Sequence, residues 1–201
     1  AKACLSKLGK NYTVISTRQN QGYGGNQKIC YRFALERGFD SVILLHGDGQ
    51  YAPELVGKYR DVLKAGADVA LGSRMMIRGD ALSGGMPVYK YFGNRILTRV
   101  QNGLLGTQLT EFHSGFRGYS AEFLKKIPFD INADGFHFDT EILIQAFHVD
   151  AKIEEFSIPT YYGNEVCRVP GIRYSLKVLA TTLQYRFQIY GLSTSLKYPR
   201  S

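Results

Sequence analysis

Acidic side chains stop at Glu165. The rest of the chain carries six cations, Arg168, Arg173, Lys177, Arg186, Lys197 and Arg200, against a net charge of +8 for all 201 residues. A basic end of this kind suits a phosphate-bearing partner: a nucleotide, a nucleic acid or an anionic lipid surface. The plainer alternative is a solvated helix face. Cysteine is scarce as well. Cys4, Cys30 and Cys167 are too few, too dispersed and odd in number for a disulfide framework, so a reducing, cytoplasmic compartment is expected. No apolar run approaches the roughly 20 residues that span a bilayer, and no secretory leader pattern opens the sequence. No initiator Met stands at the start either; residues 1–8 read like the end of a helix, and an N-terminal piece outside this sequence is expected. Repeats and low-complexity segments are missing too.

What is present is ordinary for a globular domain. Hydrophobic residues make up 44% and charged residues 21%, and the length is ample for one buried core. Residues 12–16 (Tyr-Thr-Val-Ile-Ser) form a β-branched run, expected to be a strand. A glycine-rich turn, Gly22-Tyr23-Gly24-Gly25, precedes a helix over 29–37 closed by Gly38. The apolar run 41–45 is too short for a buried helix and suits a strand covered on both faces. Pro53 opens a helix at the position where proline fits. Further strands are expected at 68–71 and 153–158, helices at 91–105 and 138–147, and a polar glycine-rich loop at 73–87. From Ile172 the apolar residues Leu176, Leu179, Leu183, Phe187 and Tyr190 follow in steps of four and three, a helical stripe. Such a stripe is expected to pack on the domain's own core, the alternative being an anionic membrane surface in peripheral contact. Residues 1–170 are read as one domain and 171–201 as its basic amphipathic helix and tail.

Strands alternating with helices argue for an α/β fold with a mostly parallel sheet. Ligands of such sheets bind beyond the carboxyl ends of the strands. That rule points to 22–26, 46–50 and 72–74. The turn His46-Gly47-Asp48-Gly49-Gln50 puts an imidazole, an acid and an amide at alternate positions, which point the same way in extended backbone. Three such ligands suit Mg2+ or Mn2+ shared with substrate phosphates; Asp-Gly alone is a turn signal. Glu111-Phe112-His113-Ser114-Gly115-Phe116-Arg117 gathers an acid, an imidazole, a hydroxyl and a guanidinium around a glycine. Phe138-Asp139-Thr140-Glu141 places two acids at the start of an apolar helix, where capping is their plain role.

The stretch 48–54 (Asp-Gly-Gln-Tyr-Ala-Pro-Glu), Gly72-Ser73-Arg74, and 111–117 follow one another in an order and spacing that resemble the family 2 inverting glycosyltransferases. Within that family the pattern looks most like the dolichyl-phosphate mannose synthase-like enzymes, which include bacterial polyprenyl-phosphate glycosyltransferases. Residues 20–26, 138–141 and 158–163 extend the resemblance over most of the chain. The resemblance implies a GT-A fold, here lacking its first strand or strands. It implies that Asp48, Gln50 and His46 sit at the metal positions, with His46 where the family's Asp-x-Asp pattern has its first acid. Asn20, Gly22, Gly24, Asp48, Gly72, Arg74 and Ser114 fall at nucleotide-sugar positions. Glu111, at the family's Asp/Glu position, is the first candidate for a catalytic base, with Asp139 and Glu141 behind it.

The reaction implied is a one-step displacement at the anomeric carbon of a nucleoside-diphosphate sugar, with a polyprenyl phosphate or a saccharide as acceptor. A metal, with Arg74 or Arg117, would neutralise the leaving diphosphate. Only a hydroxyl acceptor needs a base. Two rivals stay open: a sugar nucleotidyltransferase, and an inactive or binding-only relative motivated by His46. No nucleic-acid recognition motif accompanies the pI of 9.4, so no nucleic-acid partner is expected.

Overall fold

The computed structural model describes residues 12–162 and 170–199. The expectations that involve residues 1–8, Gly163, Cys167, Arg168 and Arg200 fall outside this range.

Helix α1 (Gly22–Glu36) is followed by β1 (Ser41–Leu44), a 3-10 turn at Pro53–Leu55 and α2 (Val56–Lys64). Then come β2 (Val69–Ser73), the short α3 (Asp80–Ser83), α4 (Val88–Leu105), β3 (Arg117–Ser120) and α5 (Ala121–Lys126). A 3-10 turn at Phe129–Ile131, α6 (Phe138–His148), β4 (Ile153–Ser157) and α7 (Gly171–Ile189) complete the order. The four strands form one sheet in the order β1-β3-β2-β4. β2 and β4 pair in parallel, whereas β3 runs antiparallel to both of its neighbours. Three strands therefore share a direction and β3 opposes them, which makes the open sheet a mixed one. The antiparallel strand matters for function. It brings its own start, Arg117, level with Leu44 and Leu71 near the ends of β1 and β2, so the loop before β3 joins the rim where ligands of α/β sheets bind.

Alternation along β2 divides the core. Val69 and Leu71 face Tyr31 of α1, Phe123 of α5 and Phe138, Ile142 and Leu143 of α6. Ala70 faces Tyr59 and Leu63 of α2, with Phe116 and Phe156. β2 is buried at every position, but β1 is only half-buried. It lies at one edge of the described sheet, so the expectation that it is covered on both faces does not hold. The run 12–16 pairs with no strand among the described residues, and Tyr12, Val14 and Ile15 are exposed. β-propensity there has no ladder to act on.

The glycine-rich stretch at 22–25 is the first turn of α1 rather than a turn before it. Gly22 takes φ +76°, and a Cβ on Gly24 would lie 2.3 Å from the Ala133 carbonyl oxygen and 2.7 Å from Phe138 Cβ. The glycines let α1 start flush against the entry to α6, and the Gly24 N–H donates to Asp134 O at 2.8 Å. Gly24→Ala is expected to cost ~1–3 kcal/mol by overpacking. Thermal unfolding should then show a midpoint lower by roughly 2–12 °C; an unchanged midpoint would refute the close approach.

α7 reverses the expected packing. Its buried positions are Val178, Thr181, Thr182, Tyr185 and Gln188, which meet α4 and α6. The apolar stripe looks outward instead: Ile172 is 82% exposed, Leu176 64% and Phe187 49%. The tail folds back, with Tyr198 and Tyr185 packed on Ile144 of α6.

Candidate functional site

The rim collects the ends of β1 and β2, the start of β3 and the start of α6. Glu111 lies there with only 2% of its surface exposed. Both of its oxygens are engaged. The Arg74 amide N–H donates to Oε2 at 2.7 Å, Arg74 Nε donates to Oε1 at 3.1 Å, and Arg74 Nη2 closes the pair. Asn94 Nδ2 donates to Oε1 at 2.7 Å. Burial by itself would raise the Glu111 pKa, but the Arg74 guanidinium, the Arg74 amide and Asn94 together hold the carboxyl below its usual value. Glu111 is thus an anchored anion that fixes Arg74, not a carboxylate free to take a proton. The backbone beneath it is fixed too, since the Thr110 and Glu111 N–H groups donate to Glu155 at 2.9–3.1 Å.

Asp139 is equally committed. Oδ2 accepts from Tyr23 Oη at 2.8 Å and Oδ1 from Gln27 Nε2 at 3.0 Å, with Arg117 Nη2 at 3.8 Å. Arg117 is fully buried. Its Nε donates to Ser114 O at 2.6 Å, Nη1 to Asp139 O at 2.8 Å and Nη2 to Phe112 O at 2.6 Å. A guanidinium held by three carbonyls in the interior positions the loop and cannot swing to a diphosphate, so Arg117 is corrected from a catalytic to a positioning residue. Glu141 leaves the candidate list as well. It turns away to Lys197 Nζ at 2.6 Å and the Ala133 N–H at 2.6 Å.

The 46–50 turn is different in kind. Asp48 stays exposed, and its Oδ1 accepts the Gln50 N–H at 3.1 Å. His46 packs inside, with Nε2 3.2 Å from Tyr23 Oη. The Tyr23 hydroxyl donates to Asp139, so it can only accept from His46; this places the imidazole proton on Nε2 and leaves Nδ1 with its lone pair available. Burial keeps the ring towards its neutral form although Asp139 and Asp48 pull the other way. Among the described residues no three His, Cys, Asp or Glu side chains come together at metal-binding spacing. An exposed carboxylate, a neutral imidazole nitrogen and the Gln50 amide still fit a borderline ion such as Mn2+, better than they fit the all-oxygen shell of Mg2+. Substrate phosphates would complete the shell.

The expected nucleotide-sugar residues separate into two groups. Asp48 and Arg74 stand at the rim. Asn20 Oδ1 accepts the Gly22 N–H at 2.9 Å and so shapes the entry to α1. Gly22 and Gly24 serve the packing described above. Gly72 is a core position: a Cβ there would lie 2.1 Å from Tyr59 Oη. Ser114 is buried, and its Oγ accepts the Phe116 N–H at 3.4 Å. Sequence reasoning missed Tyr23, Gln27, Tyr51 and Asn94. Tyr51 Oη accepts the Gly115 N–H at 2.7 Å, and Gly115 leaves room for His46, since a Cβ would lie 2.5 Å from His46 Cε1. Tyr51 stands inside a recognised motif; nothing local marks Asn94, which reaches Glu111 across seventeen residues.

The sequence model of "Glycosyl transferase family 2" matches residues 1–128. The chain is 30% identical over 158 residues to a low-salt glycan biosynthesis hexosyltransferase of Haloferax volcanii, covering 78% of this chain and 36% of that protein. It is 26% identical over 146 residues to an undecaprenyl-phosphate mannosyltransferase of Micrococcus luteus, covering 72% and 59%. The chain thus spans between about a third and three-fifths of these relatives. In fold it resembles glucosyl-3-phosphoglycerate synthase of Mycobacterium tuberculosis, solved with Mn2+, uridine diphosphate and phosphoglyceric acid. The TM-score is 0.60 at 18% identity, over 90% of this chain and 57% of that one. The open mixed sheet flanked by helices is of the GT-A type. By the match of the family's sequence model to nearly two-thirds of its residues, the chain belongs to glycosyl transferase family 2.

Proposed function

We propose that this chain is the catalytic domain of a metal-dependent, inverting glycosyltransferase that moves a hexose from a nucleoside diphosphate to a polyprenyl phosphate at the cytoplasmic face of a membrane. One observation carries the choice of acceptor. Glu111 and Asp139, the two acids placed for a base, already accept from Arg74, Asn94, Tyr23 and Gln27. A saccharide hydroxyl would need one of them free; an ionised phosphate needs none. In the reaction a phosphate oxygen of the acceptor forms a bond to the anomeric carbon. The bond from that carbon to the diphosphate breaks, and the nucleoside diphosphate leaves with the electron pair. A divalent ion at Asp48, His46 and Gln50 would supply charge neutralisation on the diphosphate. Arg74, paired with Glu111, is the guanidinium proposed to assist that neutralisation. The undecaprenyl-phosphate mannosyltransferase of M. luteus supports the acceptor class, and the Mn2+ and uridine diphosphate of the mycobacterial structure support the donor class. The test is transfer of radiolabelled hexose from UDP- and GDP-sugars to undecaprenyl phosphate, with methyl hexosides as rival acceptors. Labelling of the glycosides alone would reject the reading.

Peripheral membrane contact belongs to the same proposal. Among the described residues no helix is long and apolar enough to cross a membrane. α4 and α7 pack on each other, and both leave apolar residues exposed: Val88, Phe92 and Ile96 on α4, and Ile172, Leu176 and Phe187 on α7. Neither helix contains an acidic residue, while Arg99, Arg173 and Lys177 lie among the apolar ones. An apolar face flanked by cations complements an anionic lipid surface. Leu176→Glu with Phe187→Glu is expected to reduce co-sedimentation with phosphatidylglycerol vesicles by about 10-fold or more, since burying each side chain stabilises by ~1.5–3 kcal/mol. Equal sedimentation of wild type and variant would refute the contact.

A further inference from the structure

Beside the rim is a cleft whose lining residues have no part in the assignments above. It lies between residues 135–137 and the first two turns of α7, has a volume of about 250 Å³, and is lined by Phe136, His137, Arg173, Tyr174 and Lys177. It is smaller than the roughly 300–1,000 Å³ pockets that enclose drug-sized ligands, so a headgroup fits it better than a nucleotide does. Arg173 and Lys177 form no salt bridge with an acid among the described residues. α7 follows Pro170, which offers no side-chain cap, and has no acid in its first turn, so its first N–H groups add to the positive field. That field is felt locally: after burial, the charges of Lys177 and Lys197 hold His137 towards neutrality against the pull of Glu141.

Two walls of the cleft touch the reaction centre. Phe136 packs on the Tyr23 ring at 5.2 Å, and Tyr23 binds both Asp139 and His46. Tyr174 Oη lies 2.9 Å from His113 Nδ1, in the Glu111 loop. Ile172 and Leu176, which directly precede the cleft residues Arg173 and Lys177 in α7, are exposed and begin the apolar stripe. From this juxtaposition we infer that the cleft binds the phosphate of the acceptor, with Arg173 and Lys177 as its ligands and the isoprenoid chain leaving along Ile172 and Leu176. The inference rests on the glycosyltransferase reading for the fate of the phosphate, and not for its binding.

The test is calorimetric titration of the full chain with farnesyl phosphate, and separately with UDP plus Mn2+. The Arg173→Ala/Lys177→Ala variant is expected to weaken farnesyl phosphate binding by roughly 10–100-fold, the scale for losing charged hydrogen bonds. Its UDP binding should be unchanged, which also shows that the variant is folded. The Arg173→Lys/Lys177→Arg exchange should keep most of the affinity. Farnesol should compete poorly, and inorganic phosphate should bind much more weakly than farnesyl phosphate. Inorganic phosphate binding as tightly would assign the cleft to free phosphate and overturn the lipid acceptor. Farnesol competing equally, or farnesyl phosphate binding untouched by the double alanine variant, would overturn the cleft as a phosphate site. If UDP fails to bind wild type while the cleft variant still loses farnesyl phosphate, the cleft stands and the transferase reading falls.

Discussion

Asp48→Ala is expected to abolish the Mn2+-dependent part of UDP binding and to lower transfer by on the order of 10²–10³-fold, the scale for removing one electrostatic stabiliser of a developing charge. The effect is large because, among the described residues, the other acids assigned to the site are already committed. Glu111 and Asp139 are held by buried donors, and His46 brings no negative charge to the turn. The exposed Asp48 carboxylate packs against no core cluster, so its loss should leave the unfolding free energy within about 0.5 kcal/mol of wild type, as for most surface substitutions. Calorimetry with UDP in the presence of Mn2+ or EDTA, on wild type and variant, separates the two contributions. If the variant keeps metal-dependent binding, the ion sits elsewhere and the 46–50 turn is only a turn.

Glu111→Ala should act in the opposite way, chiefly on stability. It leaves the Arg74 guanidinium nearly buried without its counter-ion, which typically costs ~3–5 kcal/mol. For a domain of this size the midpoint should fall by roughly 6–20 °C. Glu111→Gln keeps the volume and one acceptor and should cost less. The pair also predicts a pH dependence. Burial raises the Glu111 pKa, and Arg74 with Asn94 more than reverses it, so the folded value lies below the ordinary 4.5. The stabilisation is therefore complete above about pH 4.5 and is lost as pH falls through the lower folded value. Glu111→Gln should show a shallower loss of stability on that acid limb. A limb as steep as in wild type would mean that Glu111 does not titrate with unfolding.

The elements with strong local signals were legible in the sequence: α6, α7, β2 and β4 fall within a few residues of expectation. The start of α1 was not, because Gly22, Gly24 and Gly25 look like a turn until Ala133 and Phe138 are seen to demand their lack of Cβ. The run 12–16 carries strand composition, but composition does not supply a pairing partner. The orientation of α7 failed for a related reason. An apolar stripe predicts that a face will be covered, not what covers it, and here Thr181, Thr182 and Gln188 face the protein instead. In the site, the motifs located Asp48, Arg74 and Glu111. They could not tell an open carboxylate from a committed one, because Asn94, Tyr23 and Gln27 reach the acids from distant parts of the chain.

Arg117 has a consequence beyond the site. Its one planar group joins the carbonyls of Phe112 and Ser114, before β3, to that of Asp139, at the start of α6. Segments that many domains would cross-link through sulfur are stapled here by a guanidinium, a tie that no reductant can open. The same tie depends on a fork of fixed geometry. Lysine would conserve the charge and lose the staple, because one ammonium on a flexible stem cannot reproduce the spread of Nε, Nη1 and Nη2 over three separate carbonyls.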